Sequence, residues 1–550
     1  MLIVIQDKRF LSAPAQTQYL TMLYIAPFKI LLPDYNRQFM NITSLIDIKI
    51  PKTLARALRL PDSSPRAQQR RVLKKLLSRA RFTEFGQHYN FDKAIFSEDV
   101  ERRFQSLVPV HDYNKIYNEW WQKTLDGVPD VTWPGKIKYY ALSSGTSEAA
   151  SKYIPITNDL LRSNTINYIR QLFSVFSYEE ANRKSFTKGF LMLGGTTDLQ
   201  KGPAGWYAGD LSGILARKRP FWFQTFYKPG GRIAAMKDWN QKLTEIVEHA
   251  REWDIGYIVG VPAWCQMCME MIIEHYKVDN IHDIWPNFGF FVHGGVSFQP
   301  YRKSFEKLLG KPIVYVENYL SSEGFIGFKM REKGGIQLVT NNNIFFEFVP
   351  FTDKNFDTSG NIVANPEALL IDEIETGKDY ALLMSTNAGS WRYLIGDTIR
   401  FINKHTCELV ITGRTKHFLS LVGEHLSVEN MNHAIEAANE YFNISIPEYT
   451  VVGFPYENFF AHKWYVATND KVDAGLLKNF IDKKLRELND DYATERDSAL
   501  KEVFLDILPQ ETFLKFMELK GKIGSQHKFP RVMKGKMLEE WNHFLASGKI

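Results

Sequence analysis

Cysteine is scarce in this chain, which contains three cysteines among 550 residues. Cys265, Cys268 and Cys407 form an odd and sparse set, which argues against a disulfide framework and suits a reducing compartment. We therefore expect a cytoplasmic protein. Cys265 and Cys268 make a CxxC pair, but no second pair and no nearby histidine accompany them. Because the surrounding run over residues 264–273 is apolar, the pattern favours two buried thiols over a zinc or redox centre.

Long apolar runs are absent as well. A membrane-spanning helix needs roughly 20 consecutive apolar residues, and Pro27 and Lys29 interrupt the best candidate, residues 19–32. That segment also lacks a clear small-residue cleavage site, which argues against a signal peptide. The net charge of +6 is small for this length, and no nucleic-acid-binding motif is present. The sequence thus predicts no membrane span and no nucleic-acid partner, and it leaves the oligomeric state open.

The chain is long and apolar enough for more than one domain. Hydrophobic residues make up 44% of it, and short β-rich runs alternate with helical patterns between residues 137 and 350, which predicts an α/β fold. A smaller α/β pattern restarts after Arg414. We expect residues 1–39 to be an extension of uncertain status, since Met40 is an alternative start. Residues 40–413 are expected to form a large domain and residues 414–550 a small C-terminal domain.

Local patterns also predict individual elements. Residues 65–82 carry leucines at helical spacing among arginines and lysines, which indicates a solvated amphipathic helix rather than a surface for membranes or nucleic acid. The polar residues 352–367 indicate a loop, and the end of the chain indicates a basic tail.

A run rich in hydroxyl groups follows the predicted strand over residues 137–142. Its backbone N–H groups and hydroxyls suit phosphate oxygens, and its glycine permits a close approach of the backbone. The spacing is not that of a Walker P-loop, and an ordinary polar turn has the same composition, so both interpretations stay open. Lys152 is near enough in sequence to reach a phosphate. The residues of the run are Ser143, Ser144, Gly145, Thr146 and Ser147.

Two further motifs come just after predicted strands, at the edge where open α/β sheets bind ligands. One is Gly294-Gly295-Val296, where a glycine pair permits a flat base to stack on the backbone. In the other, Tyr319 offers a ring to an adenine and Ser322 offers a hydroxyl to a phosphate. Glu323 offers a carboxylate to Mg²⁺, which takes one or two carboxylates plus phosphate oxygens. A turn and a helix-capping acid are the alternative interpretations.

A carboxylate and an arginine complete the set. Asp397 follows Gly396 where the strand 398–402 is predicted to start, and a carboxylate there can accept both hydroxyls of a ribose. A turn aspartate is the alternative. Arg414 follows Gly413 at the predicted end of the large domain.

In this order, the motifs resemble those of the adenylate-forming superfamily of acyl-CoA synthetases, luciferases and peptide-synthetase adenylation domains. The closer likeness is to the auxin-responsive Gretchen Hagen family of acyl acid amido synthetases, in its bacterial-type branch. It extends over about residues 90–550. The hydroxyl-rich run carries it together with residues 314–324 (VYVENYLSSEG), 345–350 (FFEFVP), 391–397 (WRYLIGD) and 526–531 (QHKFPR).

The resemblance implies a fold and an activity. The fold is a large adenylate-forming domain, made of α/β subdomains and a β-barrel-like part, followed by a smaller mobile α/β domain. The activity is an ATP- and Mg²⁺-dependent ligation, in which a carboxylic acid is adenylated and its acyl group passes to an amine such as an amino acid. An acyl-CoA synthetase and a non-catalytic nucleotide or acyl-acid binding protein are the alternatives.

The resemblance also implies roles for the matching residues. Ser144, Thr146 and Ser147 would hold the β- and γ-phosphates, while Gly295 and Tyr319 would frame the adenine. Ser322 would contact the α-phosphate and Glu323 the Mg²⁺ ion. Asp397 and Arg414 would bind the ribose, and Lys416 stands at the hinge between the domains.

The resemblance leaves the catalytic lysine and the acid pocket less sharply defined. Lys528 matches the mobile lysine of the C-terminal domain, which stabilises the adenylation transition state, and Lys536 fits the spacing of the wider superfamily. Residues 257–264 border the acid pocket in relatives, and their apolar character suits an aryl or fatty acid. Two positions depart from the family, because Glu148 stands where glycine is usual and His425 where lysine is commoner.

Overall fold

The computed structural model describes residues 63–143, 152–175, 178–179, 183–219, 223–295, 298–357, 360–415, 419, 426–456, 459–497, 500–521 and 529–547. All of them belong to one structural unit, Lys52–Ile550. Several sequence predictions lie outside the described residues: those on the extension 1–39 with Met40, Ser144, Gly145, Thr146, Ser147, Glu148, Val296, Lys416, His425 and Lys528.

Helices form where apolar residues recur at helical spacing behind a capping residue. The first one shows how: the Ser64 side chain caps it, Pro65 occupies its first turn, and its leucines are buried. The amphipathic helix predicted there is confirmed. The helices are α1 (Pro65–Ala80), α2 (Glu84–His88), α3 (Phe91–Ile95), α4 (Val100–Leu107), α5 (Tyr113–Ile116), α6 (Gln122–Leu125), α7 (Asn158–Val175), α8 (Leu211–Arg217), α9 (Gly231–Ala234), α10 (Trp239–His249), α11 (Pro262–Tyr276), α12 (Gln299–Glu306), α13 (Val428–Phe442), α14 (Ala474–Leu488), α15 (Asp490–Asp497), α16 (Gln510–Leu519) and α17 (Gly535–Ala546).

Strands form where β-branched and aromatic residues follow one another in short runs. The strands are β1 (Tyr139–Ser143), β2 (Lys152–Ile156), β3 (Gly189–Leu193), β4 (Gln200–Lys201), β5 (Tyr207–Gly209), β6 (Tyr227–Lys228), β7 (Ile255–Gly260), β8 (Phe290–Gly294), β9 (Val314–Ser321), β10 (Gly324–Phe328), β11 (Ile336–Leu338), β12 (Ile344–Pro350), β13 (Asp379–Thr386), β14 (Tyr393–Asn403), β15 (Glu408–Arg414), β16 (Glu448–Tyr456), β17 (Phe459–Ala467) and β18 (Leu500–Leu508).

One large sheet organises the part of the chain before residue 415. Its strand order is β12-β13-β14-β15-β11-β10-β9-β8-β7-β3-β6. Strands β6, β3, β7, β8 and β9 run parallel to one another. From β9 to the other edge of the sheet, each strand pairs antiparallel with its neighbour, in the order β9-β10-β11-β15-β14-β13-β12. Strand β9 is therefore the point where the parallel half meets the antiparallel half. A second sheet, of order β2-β1-β5-β4, brings in the strand that precedes the hydroxyl-rich run.

The C-terminal region, from Leu426 onward, forms a separate sheet of order β16-β17-β18 with helices α13 to α17. The predicted α/β pattern after Arg414 is confirmed. The prediction of a basic tail is wrong, because strand β18 and helices α16 and α17 occupy that stretch of the chain. Phe513, Phe516 and Trp541 pack against one another there, so the basic residues are spaced between buried aromatic rings.

Two core clusters support the large sheet. One packs helices α1 to α4 on the antiparallel half, and the other packs α10, α11 and α12 on the parallel half. Cys265 and Cys268 lie in the second cluster, and burial raises the pKa of Cys268 to about 12. The buried-thiol interpretation is confirmed. No group of three or more metal-ligating side chains occurs in the part of the chain that the structure describes, nor does any helix there have the length and apolarity to cross a membrane.

His111 fixes the approach of the N-terminal helices to strand β14. Its backbone N–H donates to Arg392 O, its backbone oxygen accepts from Leu394 N, and its ring nitrogen Nδ1 lies 3.0 Å from Trp391 O. The ring is fully buried. Burial, together with the nearby Lys115, lowers the pKa of His111 from 6.5 to about 4.

The lowered pKa of His111 predicts that the fold loses stability in acid. Between pH 6.5 and pH 4 the unfolded chain takes up a proton that the folded protein refuses, so the free energy of unfolding decreases as the pH falls through that window. The expected loss from this group is about 3 kcal/mol. The variant His111→Asn keeps a donor toward Trp391 O but cannot titrate, so its melting temperature should depend less on pH over this range. His275→Asn, at an exposed histidine, should retain the wild-type dependence; equal pH curves for all three proteins would contradict the prediction.

Candidate nucleotide site

The candidate site lies at the carboxyl ends of strands β8 and β9. Gly294 ends β8 and is paired in register with Asn318 of β9, and a Cβ atom at Gly294 would lie 2.3 Å from Asn318 Oδ1. Only glycine fits there, and Gly295 follows with a positive φ of 83°. Ser322 and Glu323 form the tight turn between β9 and β10. Glu323 therefore lies in a hairpin, so the helix-capping alternative is wrong.

Asp397 is held between two side chains. The Tyr319 hydroxyl donates to Asp397 Oδ2 at 2.7 Å, and Arg414 Nε lies 2.9 Å from Asp397 Oδ1. Asp397 of β14 and Arg414 of β15 face each other in register. Strand β14 runs over Tyr393–Asn403, so Asp397 lies in its interior. The alternative interpretation as a turn aspartate is therefore wrong. Asp397 lies inside a strand, where pairing aims its carboxylate at the edge of the site.

Charge and burial reinforce this arrangement. Asp397 raises the pKa of Arg414 above its ordinary value, so the guanidinium stays charged while its side chain is 42% exposed. Burial raises the pKa of Tyr319 well above 10, and Asp397 raises it further, so the phenol stays a hydrogen-bond donor. The result is a carboxylate fixed by one neutral donor and one cation, with its remaining lone pairs available to a ligand.

Glu323 adds a second carboxylate beside the first. It is 8% exposed, and burial raises its pKa above the ordinary value. Asp397 raises the pKa of Glu323 further, whereas its own backbone N–H, the Ser321 hydroxyl and Lys152 oppose the rise. A divalent cation relieves such a desolvated carboxylate, so the residues present fit a Mg²⁺ ion bound by Glu323 and by phosphate oxygens.

The strand before the hydroxyl-rich run also reaches this cluster. Ser143 ends β1 and pairs in register with Lys152 of β2. The Lys152 ammonium lies 5.2 Å from the centre of the Tyr113 ring and interacts electrostatically with Glu323. The prediction that Lys152 comes near the phosphates is consistent with this position, although residues 144–147 of the run lie outside the described residues.

Two tyrosines of the cluster were missed by the sequence reasoning. Tyr393 is 2% exposed; burial raises its pKa well above 10, and Glu323 is the next cause. Tyr113 accepts a hydrogen bond of 2.9 Å from the backbone N–H of Tyr153, at the start of β2. Tyr393 belongs to the WRYLIGD motif, which could have indicated it. No motif marks Tyr113, which long-range packing alone brings here.

A cavity of about 840 Å³ lies alongside strand β9. His293 and Glu317 line it and are paired in register across β8 and β9. Tyr315 lines it as well, and because side chains alternate along a strand, Tyr315, Glu317 and Tyr319 share one face of the sheet. The cavity therefore opens on the same face as the ring of Tyr319.

The predicted acid pocket is only partly available. Tyr257 is buried against Phe290, with ring centres 4.9 Å apart, and Trp264 is buried against Trp239 at 5.0 Å. Both rings belong to the core. Val259, Gly260, Val261 and Ala263 remain half-buried around the carboxyl end of β7, so these are the residues of the stretch placed to line a pocket.

Lys536 lies in the first turn of α17 and is exposed. The contacts of the described residues do not bring it to the cluster of Asp397 and Glu323. Its rival Lys528 lies outside the described residues. The sequence alternative between these two lysines stays open.

Two of the motifs meet in a buried ion pair that supports the site. Arg392 Nε donates to both carboxylate oxygens of Glu347, at 3.0 and 3.1 Å, and Arg392 also donates to the backbone oxygens of Gln105 and Val108. The side chains are 7% and 1% exposed. Glu347 and Arg392 thus join β12 to the start of β14 and hold the strand that carries Asp397.

This pair predicts a large loss of stability on removal of one partner. In Glu347→Gln the guanidinium of Arg392 stays buried without a counter-ion, which costs about 3 kcal/mol or more. Denaturant unfolding followed by tryptophan fluorescence measures the shift in midpoint. Glu375→Gln, in an exposed pair with Lys378, should leave the midpoint unchanged. Equal midpoints for wild type and Glu347→Gln would show that the pair contributes little.

Comparison with known families matches three consecutive stretches of the chain. They are the GH3 family N-terminal domain over residues 56–244, the GH3 family central domain over residues 337–414 and the GH3 family C-terminal domain over residues 429–536. The chain belongs to the GH3 family. The resemblance predicted from the motifs is confirmed.

Individual relatives agree with this membership. The chain is 23% identical over 437 residues to jasmonoyl-L-amino acid synthetase JAR6 of Nicotiana attenuata, covering 67% of this chain and 73% of the relative. It is 22% identical over 566 aligned positions to indole-3-acetic acid-amido synthetase GH3.4 of Arabidopsis thaliana, covering 89% and 92%. As a GH3 member, the protein is an AMP-forming ligase of the amido synthetase type, which uses ATP, so the predicted enzyme class is confirmed.

Solved structures confirm the predicted α/β fold. GH3.15 acyl acid amido synthetase matches with a TM-score of 0.69 at 16% identity, covering 94% of this chain and 97% of that one. A 2-hydroxyisobutyryl-CoA ligase matches with a TM-score of 0.56 at 10% identity, covering 94% and 96%. The fold is therefore shared across adenylate-forming ligases that differ in their acceptors.

Proposed function

We propose that this protein adenylates a carboxylic acid with ATP and then transfers the acyl group to the amine of an amino acid. The observation that carries the nucleotide part is the fixed carboxylate of Asp397 between Tyr319 and Arg414, with Glu323 buried beside it. A carboxylate with free lone pairs at the carboxyl end of the parallel strands suits the two hydroxyls of a ribose. The relatives named for jasmonoyl and indole-3-acetic acid conjugation support an acid with an apolar body.

In the first step, a carboxylate oxygen of the acid attacks the α-phosphorus of ATP, and the bond to the β-phosphate oxygen breaks to release pyrophosphate. Asp397 and Arg414 hold the ribose, while Tyr319 and Gly295 frame the adenine. Ser143 to Ser147 bind the outer phosphates, and Ser322 contacts the α-phosphate. A Mg²⁺ ion on Glu323 would offset negative charge on the phosphates. Lys528, with Lys536 as the alternative, stabilises the charge that builds up in the transition state.

In the second step, the amine nitrogen attacks the acyl carbon, the bond to the phosphate oxygen breaks, and AMP leaves while the nitrogen gives up a proton. The first step needs the lysine and the second does not, so the C-terminal region turns about Lys416 between them. The central-domain match ends at residue 414 and the C-terminal match starts at residue 429, which supports a boundary between residues 414 and 429, close to the one predicted between residues 413 and 414.

The location of the enzyme is part of the proposal. The three cysteines are buried and unpaired, which suits a reducing cytoplasm. The partners proposed for the site are small molecules, namely ATP, the acid and the amine.

Exchange of labelled pyrophosphate into ATP, dependent on an added carboxylic acid, tests the first step. Pools of aryl, indole and fatty acids should be compared, and one pool should promote exchange. The acids of the active pool are then incubated one by one with ATP and either amino acids or coenzyme A, and the products are identified by mass. An amide supports the proposal. A thioester, or ATP binding without exchange in any pool, would contradict it.

A further inference from the structure

The cavity along strand β9 adjoins the place proposed for the adenine. His293 and Glu317 line it, and they are paired in register across β8 and β9. Gly294 and Gly295 follow directly after His293, and Glu317 lies two residues before Tyr319 on the same face of the sheet. Two residues of a strand span about 7 Å. Both side chains are therefore within reach of a base that lies between Gly295 and Tyr319.

His293 presents a neutral ring of fixed orientation to this cavity. The residue is 5% exposed, and its ring packs against Phe298 with ring centres 4.7 Å apart. Burial, together with the nearby Lys329, lowers the pKa of His293 from 6.5 to about 3, so at neutral pH the ring has one N–H donor and one acceptor nitrogen. Its Nδ1 has no hydrogen-bond partner among the described residues. Because an unpaired buried polar atom is costly, a ligand group that pairs with this ring is favoured.

Glu317 presents an acceptor beside the histidine. Its side chain is half-buried and lines the same cavity. Lys329 is tied to this residue, because Lys329 N donates to Glu317 O at 2.8 Å. Burial raises the pKa of Glu317, whereas Lys329 opposes the rise. Lys329 thus favours the ionised carboxylate, which accepts hydrogen bonds and donates none.

Adenine matches this pair at the edge that carries its 6-amino group. The amino group is a donor and the ring nitrogen N7 beside it is an acceptor, whereas guanine has an acceptor oxygen at position 6. A carboxylate attracts the amino group and repels that oxygen. Position 6 is also at the end of the base away from the ribose, so a ribose bound at Asp397 leaves this edge directed toward the cavity.

We propose that Glu317 and His293 select ATP by its base: Glu317 accepts a hydrogen bond from the 6-amino group of adenine, and His293 donates one to the neighbouring ring nitrogen. The inference rests on the proposed function in taking Gly295 and Tyr319 to frame the base, and it does not depend on the chemistry of either step. Base selection has a distinctive consequence. Loss of the Glu317 carboxylate weakens the binding of ATP but not of an analogue without the amino group, whereas a merely structural role would weaken both.

Purine riboside triphosphate, which is ATP without the 6-amino group, is the probe that separates these cases. Calorimetry with the full-length protein and Mg²⁺, in the absence of any acid, measures the Kd of ATP, of this analogue and of GTP. Glu317→Leu removes the acceptor. Glu306→Leu is the matched control, because Glu306 lines the same cavity from α12 and is paired there with Arg302 at 2.8 Å.

The wild-type protein should bind ATP about tenfold or more tightly than the analogue or GTP, since each of these loses the hydrogen bond to a charged group. In Glu317→Leu the Kd of ATP should rise about tenfold, to the level of the analogue, while the Kd of the analogue should not rise. Glu306→Leu should keep the wild-type preference. In Glu317→Gln, GTP should bind about tenfold more tightly than to wild type, because an amide can donate to the oxygen at position 6.

A second variant tests the histidine. His293→Phe keeps a ring in contact with Phe291 and Phe298 but has no donor. It should raise the Kd of ATP and of the analogue by the same factor, about fivefold, since both bases keep the ring nitrogen.

Equal affinity of the wild-type protein for ATP and the analogue would overturn the inference. An equal rise of both Kd values in Glu317→Leu, or a loss of preference in Glu306→Leu, would overturn it as well. Pyrophosphate exchange is measured alongside as a separate test. A tighter binding of ATP than of the analogue, without exchange in any acid pool, would support base selection and contradict the proposed function.

Discussion

Asp397→Asn is expected to lower kcat/KM for ATP in the exchange reaction by about a hundredfold or more. The carboxylate is the acceptor proposed for both ribose hydroxyls, and its two oxygens are aimed by Tyr319 and Arg414. An amide offers one acceptor in place of two, and its NH₂ group meets the guanidinium of Arg414 unfavourably. Because the ribose stays bound in both ground and transition states, most of the loss should appear as a raised KM.

A matched control separates this effect from damage to the sheet. Asp379 and Arg400 also face each other in register, across β13 and β14, with Arg400 Nε 2.9 Å from Asp379 Oδ1. Asp379→Asn therefore breaks an equivalent cross-strand ion pair at a distance from the nucleotide motifs. It should leave the KM for ATP unchanged. A KM for ATP that is normal in Asp397→Asn, or raised equally in both variants, would remove Asp397 from the site.

The motifs predicted which residues belong to the site but not how they touch. Ordered along the chain, Tyr319, Asp397 and Arg414 are far apart, and their union depends on the pairing of β14 with β15 and on the position of β9 in the same sheet. Local pattern indicates a strand next to Asp397, yet it misses the five residues, 393–397, that extend the strand back to Tyr393. A one-residue change of register would turn the carboxylate to the opposite face.

Other motif residues turned out to be structural supports. Glu347 of FFEFVP and Arg392 of WRYLIGD form one buried ion pair, which nothing in their separation along the chain reveals. The same limit applies to Tyr301 and Glu448, which carry no motif and meet only because α12 packs on the C-terminal region. Sequence pattern predicts elements and ligand-binding loops well, whereas contacts between distant side chains follow from packing, which pattern does not encode.

Lys528→Ala is expected to lower kcat of pyrophosphate exchange by about a hundredfold to a thousandfold, while ATP binding stays largely intact. The lysine is proposed to meet negative charge that develops only in the transition state, so its removal affects the chemical step rather than the affinity for ATP. Binding of a fluorescent ATP analogue measures the second half of this prediction. Amide formation from purified acyl-adenylate should proceed at the wild-type rate, because the second step does not use the lysine.

Lys536→Ala decides between the two candidate lysines. Lys536 is exposed in the first turn of α17, so its removal should cost neither stability nor exchange activity if Lys528 is the catalytic residue. The reverse pattern, with exchange intact in Lys528→Ala and lost in Lys536→Ala, would transfer the role to Lys536. The two lysine variants therefore test the catalytic assignment with one pair of assays.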